Sequence, residues 1–266
     1  MPKDIITVEL ESAFAQPGCP ICTLIHKTER RYLFSFLWEN VNDGPIRAQL
    51  IRSLGFCHKH AWQLVAMEWQ AWGGGLGTGI VYEDLGKHVQ EGVKEYIAVT
   101  RERLGQRPRG WWPALWTRLG EAMWRWARQS GWGHFFGLEE RPPLPLGLEP
   151  QQECRLCRHT RETEETHLRW LLMNCNDEAF RAAYQASAGL CLPHLRKAII
   201  MDENREANLF LAQTAEEKLG VLLGDLGEYL RKFIYQYSHE PKTAAEQASW
   251  KRMVAFLVGE EEESAG

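Results

Sequence analysis

The chain has 266 residues, of which 44% are hydrophobic and 25% are charged, a composition typical of soluble globular proteins. Its formal net charge of −4 provides no general attraction to nucleic acid, which is itself strongly anionic. The length suits one large domain or two domains of ordinary size.

Nothing in the sequence predicts a secretory signal or a membrane span. The first twelve residues, M-P-K-D-I-I-T-V-E-L-E-S, lack the apolar run behind basic residues that marks a signal peptide. No run of about 18 apolar residues follows, so we expect a cytoplasmic protein. Thiols stay reduced in that compartment, and the odd number of cysteines, seven, fits a disulfide framework poorly. Metal binding or redox chemistry is the expected use of these cysteines.

The first predicted module covers residues 5–104 and begins with the motif G-C-P-I-C. Helical patterns follow at residues 23–39 and 45–53; the second begins near Pro45 and stops at Gly55. The motif G-F-C-H-K-H comes next. The module thus carries four side chains of the metal-ligand type: Cys19, Cys22, Cys57 and His60.

Residues 105–149 form a predicted Trp/Arg-rich segment that ends in a Pro-rich linker. Six of the 12 tryptophans lie between residues 111 and 132. A basic, aromatic, amphipathic helix favours either burial in the groove between the two modules or contact with a protein partner. It leaves a membrane surface as an alternative, whereas the net charge argues against nucleic acid. The residues predicted to make this contact are Trp112, Trp116, Arg118, Met123, Arg125 and Trp126.

The second predicted module covers residues 150–257, and residues 258–266 form an acidic tail. Asp177 is placed to cap a short helix, and leucines spaced by three and four predict a long amphipathic helix over residues 205–237. This module carries a second set of ligand-type side chains: Cys154, Cys157, Cys191 and His194.

The two modules repeat one pattern. The spacing is C-x2-C, 34 residues, C-x2-H in the first module and C-x2-C, 33 residues, C-x2-H in the second. A shift of 134 residues also aligns Asp43 with Asp177 and Gly55 with Gly189. No strand-like alternation is present. The sequence therefore predicts an all-α protein made of duplicated helical modules.

Each module is predicted to be clamped by its own Cys3His zinc site, giving two zinc ions per chain. Structural zinc prefers four thiolate or imidazole ligands in a tetrahedron, and each module offers one complete set. On this assignment, Cys57→Ser would loosen the first module more than the second. An iron–sulfur cluster or a redox dithiol is the alternative, because thiolates also serve those functions.

The motifs C-P-I-C, G-F-C-H-K-H and G-L-C-L-P-H resemble an uncharacterised family of bacterial proteins, a domain of unknown function. The second knuckle, E-C-R-L-C, departs from the pattern because it lacks the proline after its first cysteine. The resemblance implies residues of the metal-ligand type, and it does not indicate any particular activity. Together with the sequence, it leads us to expect a zinc-binding scaffold or protein-interaction protein, with a redox protein and a peripheral membrane protein as alternatives. No set of catalytic residues is recognisable in the sequence.

Overall fold

The computed structural model describes residues 4–106, 144–145, 147–201 and 205–261. These residues form α-helices joined by short turns and contain no β-strand, which confirms the predicted all-α class. The helices are α1 (Ile5–Phe14), α2 (Pro20–Ser35), α3 (Gly44–Arg52), α4 (His58–Trp72), α5 (Leu76–Gln106), α6 (Arg155–Asn174), α7 (Glu178–Ala186), α8 (Leu192–Met201), α9 (Arg205–Arg231) and α10 (Ala244–Val258). None of the described helices combines the length and the apolar character needed to cross a membrane.

The repeated sequence elements fold in the same way in both halves of the chain. Asp43 caps α3 by accepting a 2.8 Å hydrogen bond from the backbone N–H of Ile46. Asp177 caps α7 in the same way, with a 2.7 Å bond from the N–H of Phe180. Each aspartate satisfies a backbone donor that the first helical turn would otherwise leave unpaired.

Helices α2 and α6 pack against each other in antiparallel orientation at the centre of the fold. Leu24, near the start of α2, shares one hydrophobic core with Leu171, near the end of α6. Leu33, near the end of α2, shares the other core with Leu156, at the start of α6. Each core therefore mixes side chains from both repeats.

The long helix α9 ends at Arg231, six residues before the predicted end at residue 237. The buried ammonium group of Lys232 donates to both carboxylate oxygens of Glu246 on α10, at 2.7 Å, and to the carbonyl of Pro241, at 2.9 Å. A buried lysine needs such partners, and they lie on the returning chain. The helix stops here, and a short 3-10 turn at Tyr235–Tyr237 follows.

Candidate metal centres

The eight predicted ligand residues gather into two compact clusters. The first, cluster A, contains Cys19, Cys22, Cys191 and His194, all of them buried. The Nδ1 atom of His194 lies 3.4 Å from Sγ of Cys19, 3.5 Å from Sγ of Cys22 and 3.0 Å from Sγ of Cys191. The Sγ atoms of Cys22 and Cys191 are 3.8 Å apart.

The second cluster, cluster B, contains Cys57, His60, Cys154 and Cys157. The Nδ1 atom of His60 lies 3.3 Å from Sγ of Cys57, 3.5 Å from Sγ of Cys154 and 3.4 Å from Sγ of Cys157. The Sγ atoms of Cys57 and Cys157 are 3.5 Å apart. Cys57 and Cys157 are half-buried, so cluster B is closer to solvent than cluster A.

The partition of the ligands differs from the predicted one. We expected one site within each repeat, but each cluster combines the C-x2-C pair of one repeat with the C-x2-H pair of the other. The antiparallel packing of α2 and α6 is the physical reason, because it places the two C-x2-C pairs at opposite ends of the helix pair. The expectation that Cys57→Ser would loosen mainly the first module is therefore wrong: Cys57 belongs with Cys154 and Cys157, so both repeats lose a connection.

All four ligand pairs lie at helix N-termini. Cys19, Cys57 and Cys154 are the N-cap residues of α2, α4 and α6, and Cys191 directly precedes α8. The second ligand of each pair follows three residues later, in the first turn. Helix N-termini carry a partial positive charge and unpaired N–H groups, which favour thiolate anions. Each cluster thus receives two helix N-termini directed at three cysteines.

A sharp turn precedes each C-x2-H pair. Gly55 has a φ of 91° and Gly189 a φ of 78°, a left-handed conformation that favours glycine. A Cβ atom at Gly55 would lie 3.0 Å from Cδ1 of Leu85. The repeated glycine found in the sequence therefore has a structural role in turning the chain into α4 and α8.

The distances within the clusters fit a single tetrahedral ion. The edge of a tetrahedron is about 1.6 times its centre-to-vertex distance, so zinc–sulfur bonds of about 2.3 Å place two sulfurs about 3.8 Å apart. The observed Sγ–Sγ distances are 3.5 and 3.8 Å. A zinc–nitrogen bond of about 2.0 Å shortens the sulfur–nitrogen edge to about 3.5 Å. The observed Nδ1–Sγ distances of 3.0–3.5 Å lie at or just below that value.

A carboxylate supports the histidine of each cluster. Oε1 of Glu29 lies 3.1 Å from Nε2 of His60, and Oε1 of Glu164 lies 3.5 Å from Nε2 of His194. A lysine neutralises each carboxylate: Lys59 lies 2.8 Å from Glu29, and Lys197 lies 2.9 Å from Glu164. Histidines that bind metals usually donate their second N–H to such a group, which fixes the ring and raises its basicity.

These two glutamates were missed in the sequence, although a signal was present. Each follows the second cysteine of its C-x2-C pair by seven residues, as Glu29 follows Cys22 and Glu164 follows Cys157. Two helical turns carry each glutamate from the cluster at the start of its own helix to the histidine of the other cluster. The shared position of the glutamates therefore reflects the crossed arrangement.

The hydrogen bonds in and around cluster B favour the charged forms of Glu29, His60 and Cys154. Burial raises the pKa of Glu29, but hydrogen bonds from His60 and Lys59 outweigh it and lower the pKa to about 2. Burial lowers the pKa of His60, and its hydrogen bonds with Cys154 and Glu29 reverse this and raise it. The pKa of the Cys154 thiol, which burial raises, is brought below its usual range by His60 and by backbone N–H groups. Cluster B thus favours negative charge on the sulfur of Cys154, whereas burial and the neighbouring sulfurs raise the pKa of the Cys157 thiol.

We predict that Glu29→Gln weakens zinc binding in cluster B by about 10–100-fold, the usual cost of losing a carboxylate behind a histidine ligand. Glutamine has nearly the same shape but removes the charge that holds the His60 ring. Competition with a chromophoric chelator should resolve one weakened and one unchanged zinc. Alkylation followed by mass spectrometry should then find Cys57, Cys154 and Cys157 newly reactive.

Glu164→Gln is the matched variant, and it should expose the cysteines of cluster A instead. Glu83→Gln is the control and should leave both metal ions bound as in the wild type. Glu83 forms an exposed ion pair with Lys87, and it is distant in sequence from both C-x2-C pairs. Equal weakening of both zinc ions by Glu29→Gln would contradict the assigned role.

Among the residues that the structure describes, the seventh cysteine and the further histidines lie outside the two clusters. The Sγ atom of the buried Cys175 donates to the carbonyl of Leu171 at 3.2 Å, and burial raises the pKa of this thiol to about 11. The ring of His58 packs edge-on against Trp62, with the ring centroids 6.5 Å apart. These contacts agree with the structural role predicted for Cys175 and with the exclusion of His58 from the metal ligands.

The tryptophan stripe predicted to contact a partner lies outside the described residues. Those predicted contacts are Trp112, Trp116, Arg118, Met123, Arg125 and Trp126. The described part of the chain carries a different exposed aromatic surface, which the sequence analysis missed. It consists of Phe34, Trp38, Trp62, Trp69 and Trp72, with exposed fractions of 48%, 66%, 63%, 67% and 45%. Its signal is the spacing of Trp62, Trp69 and Trp72 along one face of α4.

Three rings of this aromatic surface lie nearly parallel to one another. The centroid of Phe34 is 6.4 Å from that of Trp38 and 5.7 Å from that of Trp72, and the two tryptophans are 6.2 Å apart. The side chains are thus ordered by mutual contact, although water surrounds much of their area.

Over the residues that the structure describes, the fold and the clusters define a helical protein with two Cys3His groups that could each hold a metal ion. The chain belongs to the Family of unknown function (DUF6062), whose model matches residues 1–110 and 146–264. The predicted resemblance to an uncharacterised family is therefore confirmed. The match leaves out residues 111–145, which lie within the Trp/Arg-rich segment.

One relative covers nearly the whole chain. It is an uncharacterized 23.9 kDa protein in the xynA 3' region of Caldicellulosiruptor sp. (strain Rt8B.4), 22% identical over 247 residues, which are 92% of this chain and 97% of the relative. No solved structure matches the chain.

Proposed function

We propose that this protein is a zinc-binding helical scaffold, in which two structural Zn²⁺ ions fasten the two repeats to each other. The observation that carries the proposal is the spacing of the ligand atoms, which lie within 4.8 Å of one another in both clusters. Three thiolates and one imidazole are a common ligand set for structural zinc.

A structural role fits the clusters better than a catalytic one. Catalytic zinc sites use three protein ligands and leave one position open for water or substrate. Each cluster here offers four protein ligands, and those of cluster A are all buried. The protein side chains thus complete the tetrahedron and leave no position for a substrate.

The iron–sulfur and thiol redox alternatives fit the distances less well. An iron–sulfur cluster spreads its ligands over more than one iron atom, which would hold some of the four ligand atoms farther apart than the 4.8 Å that encloses each cluster here. We include a cytoplasmic location in the proposal, because thiol ligands stay reduced in that compartment.

Elemental analysis and an absorption spectrum test the proposed metal. The protein is purified without added metal and without a metal-binding tag. We expect about two zinc ions per chain and no visible colour, since two four-ligand sites are present. Iron with sulfide, or metal-free protein with oxidised thiols, would overturn the zinc proposal in favour of a redox protein.

The scaffold role includes binding a protein, and we propose that the aromatic surface is the contact and that a second copy of this chain is the partner. Tryptophan and phenylalanine are enriched at protein interfaces because they bury much apolar area. The exposed positions beside the tryptophans on α4, Ala66 and Gln70, carry no charge. With one exposed acidic neighbour, Glu39, and one basic neighbour, Arg30, this apolar surface can meet its own copy across a twofold axis without net repulsion. Binding to an anionic membrane would favour basic residues at these positions instead.

Light scattering coupled to gel filtration tests the proposed partner. We expect a dimer that Trp69→Gln and Trp72→Gln convert to a monomer, whereas Tyr235→Gln, at an exposed residue far from this surface, leaves the dimer intact. A wild-type monomer would contradict self-association. If that monomer floated with liposomes, we would assign the aromatic surface to membrane binding instead.

A further inference from the structure

A polar cleft lies between α2 and α6, outside both metal clusters. Its volume is 470 Å³. Small-molecule sites in proteins usually measure about 300–1,000 Å³, so the cleft has room for a small ligand. Residues from α1 and α3 close two of its sides.

Two polar stripes face each other across this cleft. Helix α6 contributes Arg155, His159, Thr163 and His167, each four residues after the last, so that all four share one face. Helix α2 contributes Thr28, Tyr32 and Ser35 from the opposing face. Side chains between packed helices are usually apolar, and these stripes instead present guanidinium, imidazole and hydroxyl groups, most of which donate hydrogen bonds.

The charges around the cleft do not balance. The carboxylate that lines the cleft belongs to Glu9. Its oxygens lie 3.8 Å from the ammonium nitrogen of Lys27, 3.8 Å from a guanidinium nitrogen of Arg31 and 3.4 Å from Nε2 of His167. Arg155 contacts neutral groups, because it donates to the amide oxygen of Gln49 and lies 6.0 Å from the ring centroid of Tyr32. Arg31 and Arg155 line the cleft, and Lys27 lies against Glu9 outside this lining, so positive charge exceeds the single lining carboxylate.

We infer that this cleft binds a small dianion, either a phosphate-bearing molecule or a dicarboxylate, through Arg155 and Arg31. A planar guanidinium donates two parallel hydrogen bonds to phosphate or carboxylate oxygens. The hydroxyl of Tyr32 supplies a further donor along the wall. A dianion would neutralise the excess positive charge.

Isothermal titration calorimetry on the zinc-loaded full chain tests the inference, with inorganic phosphate and succinate as separate probes in a chloride buffer. We expect binding of at least one probe with one site per chain. Arg155→Gln and Arg31→Gln should each weaken it by about tenfold, the loss expected when one charge-assisted hydrogen-bonded contact is removed. The probe that binds identifies the class of dianion.

Arg158→Gln is the matched control. Arg158 follows Cys157 directly, as Arg155 follows Cys154, but it pairs with Glu153 at 3.2 Å outside the cleft. Zinc content is measured in every variant, because Arg155 neighbours Cys154 and Arg31 follows Glu29 by two residues, so a loss of binding through damage to cluster B would show as a loss of zinc. Two results overturn the inference. The first is the absence of binding heat from either probe at 10 mM, which is roughly the Kd of the weakest meaningful binding. The second is that Arg158→Gln weakens binding as much as the two cleft variants do.

Discussion

Replacing Cys19 and Cys191 together by serine is expected to remove one zinc ion and leave the other in place. The two residues come from different repeats, yet both belong to cluster A, so the double change damages a single site. The matched double variant, Cys19→Ser with Cys57→Ser, removes one ligand from each cluster and should lose both zinc ions. Both variants replace two cysteines, so they differ only in how the damage is distributed.

Native mass spectrometry, which counts the ions bound to each intact chain, measures this result. Sites formed within each repeat would give the reverse pattern, with two ions lost from the first variant and one from the second. Cys175→Ser is the control for serine at a buried cysteine and should retain both ions, because Cys175 contacts the carbonyl of Leu171 and lies in neither cluster.

Removing zinc with a strong chelator is expected to unfold both repeats in one cooperative transition. Structural zinc contributes on the order of 10 kcal/mol per site, whereas whole domains are stable by only about 5–15 kcal/mol. Each cluster connects α2 or α6 to a helix of the other repeat, and both hydrophobic cores mix the repeats. Neither half therefore keeps a complete core or a complete site once the ions are gone.

Hydrogen exchange with mass spectrometry measures this outcome element by element during chelation. Protection should be lost together in α2, α4, α6 and α8, the helices that begin at the ligands. Loss in one repeat while the other stays protected would show that the repeats are independent units. Adding zinc back should restore protection in all four helices, which separates metal loss from irreversible damage.

The sequence was sufficient for the identity of the ligands, because cysteine and histidine at these spacings have few other uses. It was insufficient to predict which of the ligand pairs share a site. The C-x2-C and C-x2-H pairs are separated by 34 and 33 residues, so each repeat offers the same four ligands at the same distance along the chain. Which pairs meet depends on the direction in which α6 packs on α2, a tertiary choice set by leucines such as Leu24 and Leu171.

Local signals predicted local structure well and long-range structure poorly. Asp177 was assigned as a helix cap from its own neighbourhood, and the structure confirms it. The end of α9 at Arg231 was missed because the bond from Lys232 to Glu246 joins residues 14 apart, beyond what helical periodicity reports. Glu29 was missed for the same reason: its partner, His60, lies 31 residues away.

The crossed clusters impose an order on biosynthesis. Cys19 meets His194 across 175 residues of chain, so cluster A cannot close until most of the protein has left the ribosome. In the meantime Cys19, Cys22, Cys57 and His60 emerge together and form a complete ligand set of their own. Any zinc captured by that early set must exchange ligands before the native arrangement forms. The supply of free metal during translation thus becomes a determinant of folding yield, and contacts so distant in sequence make the final step slow.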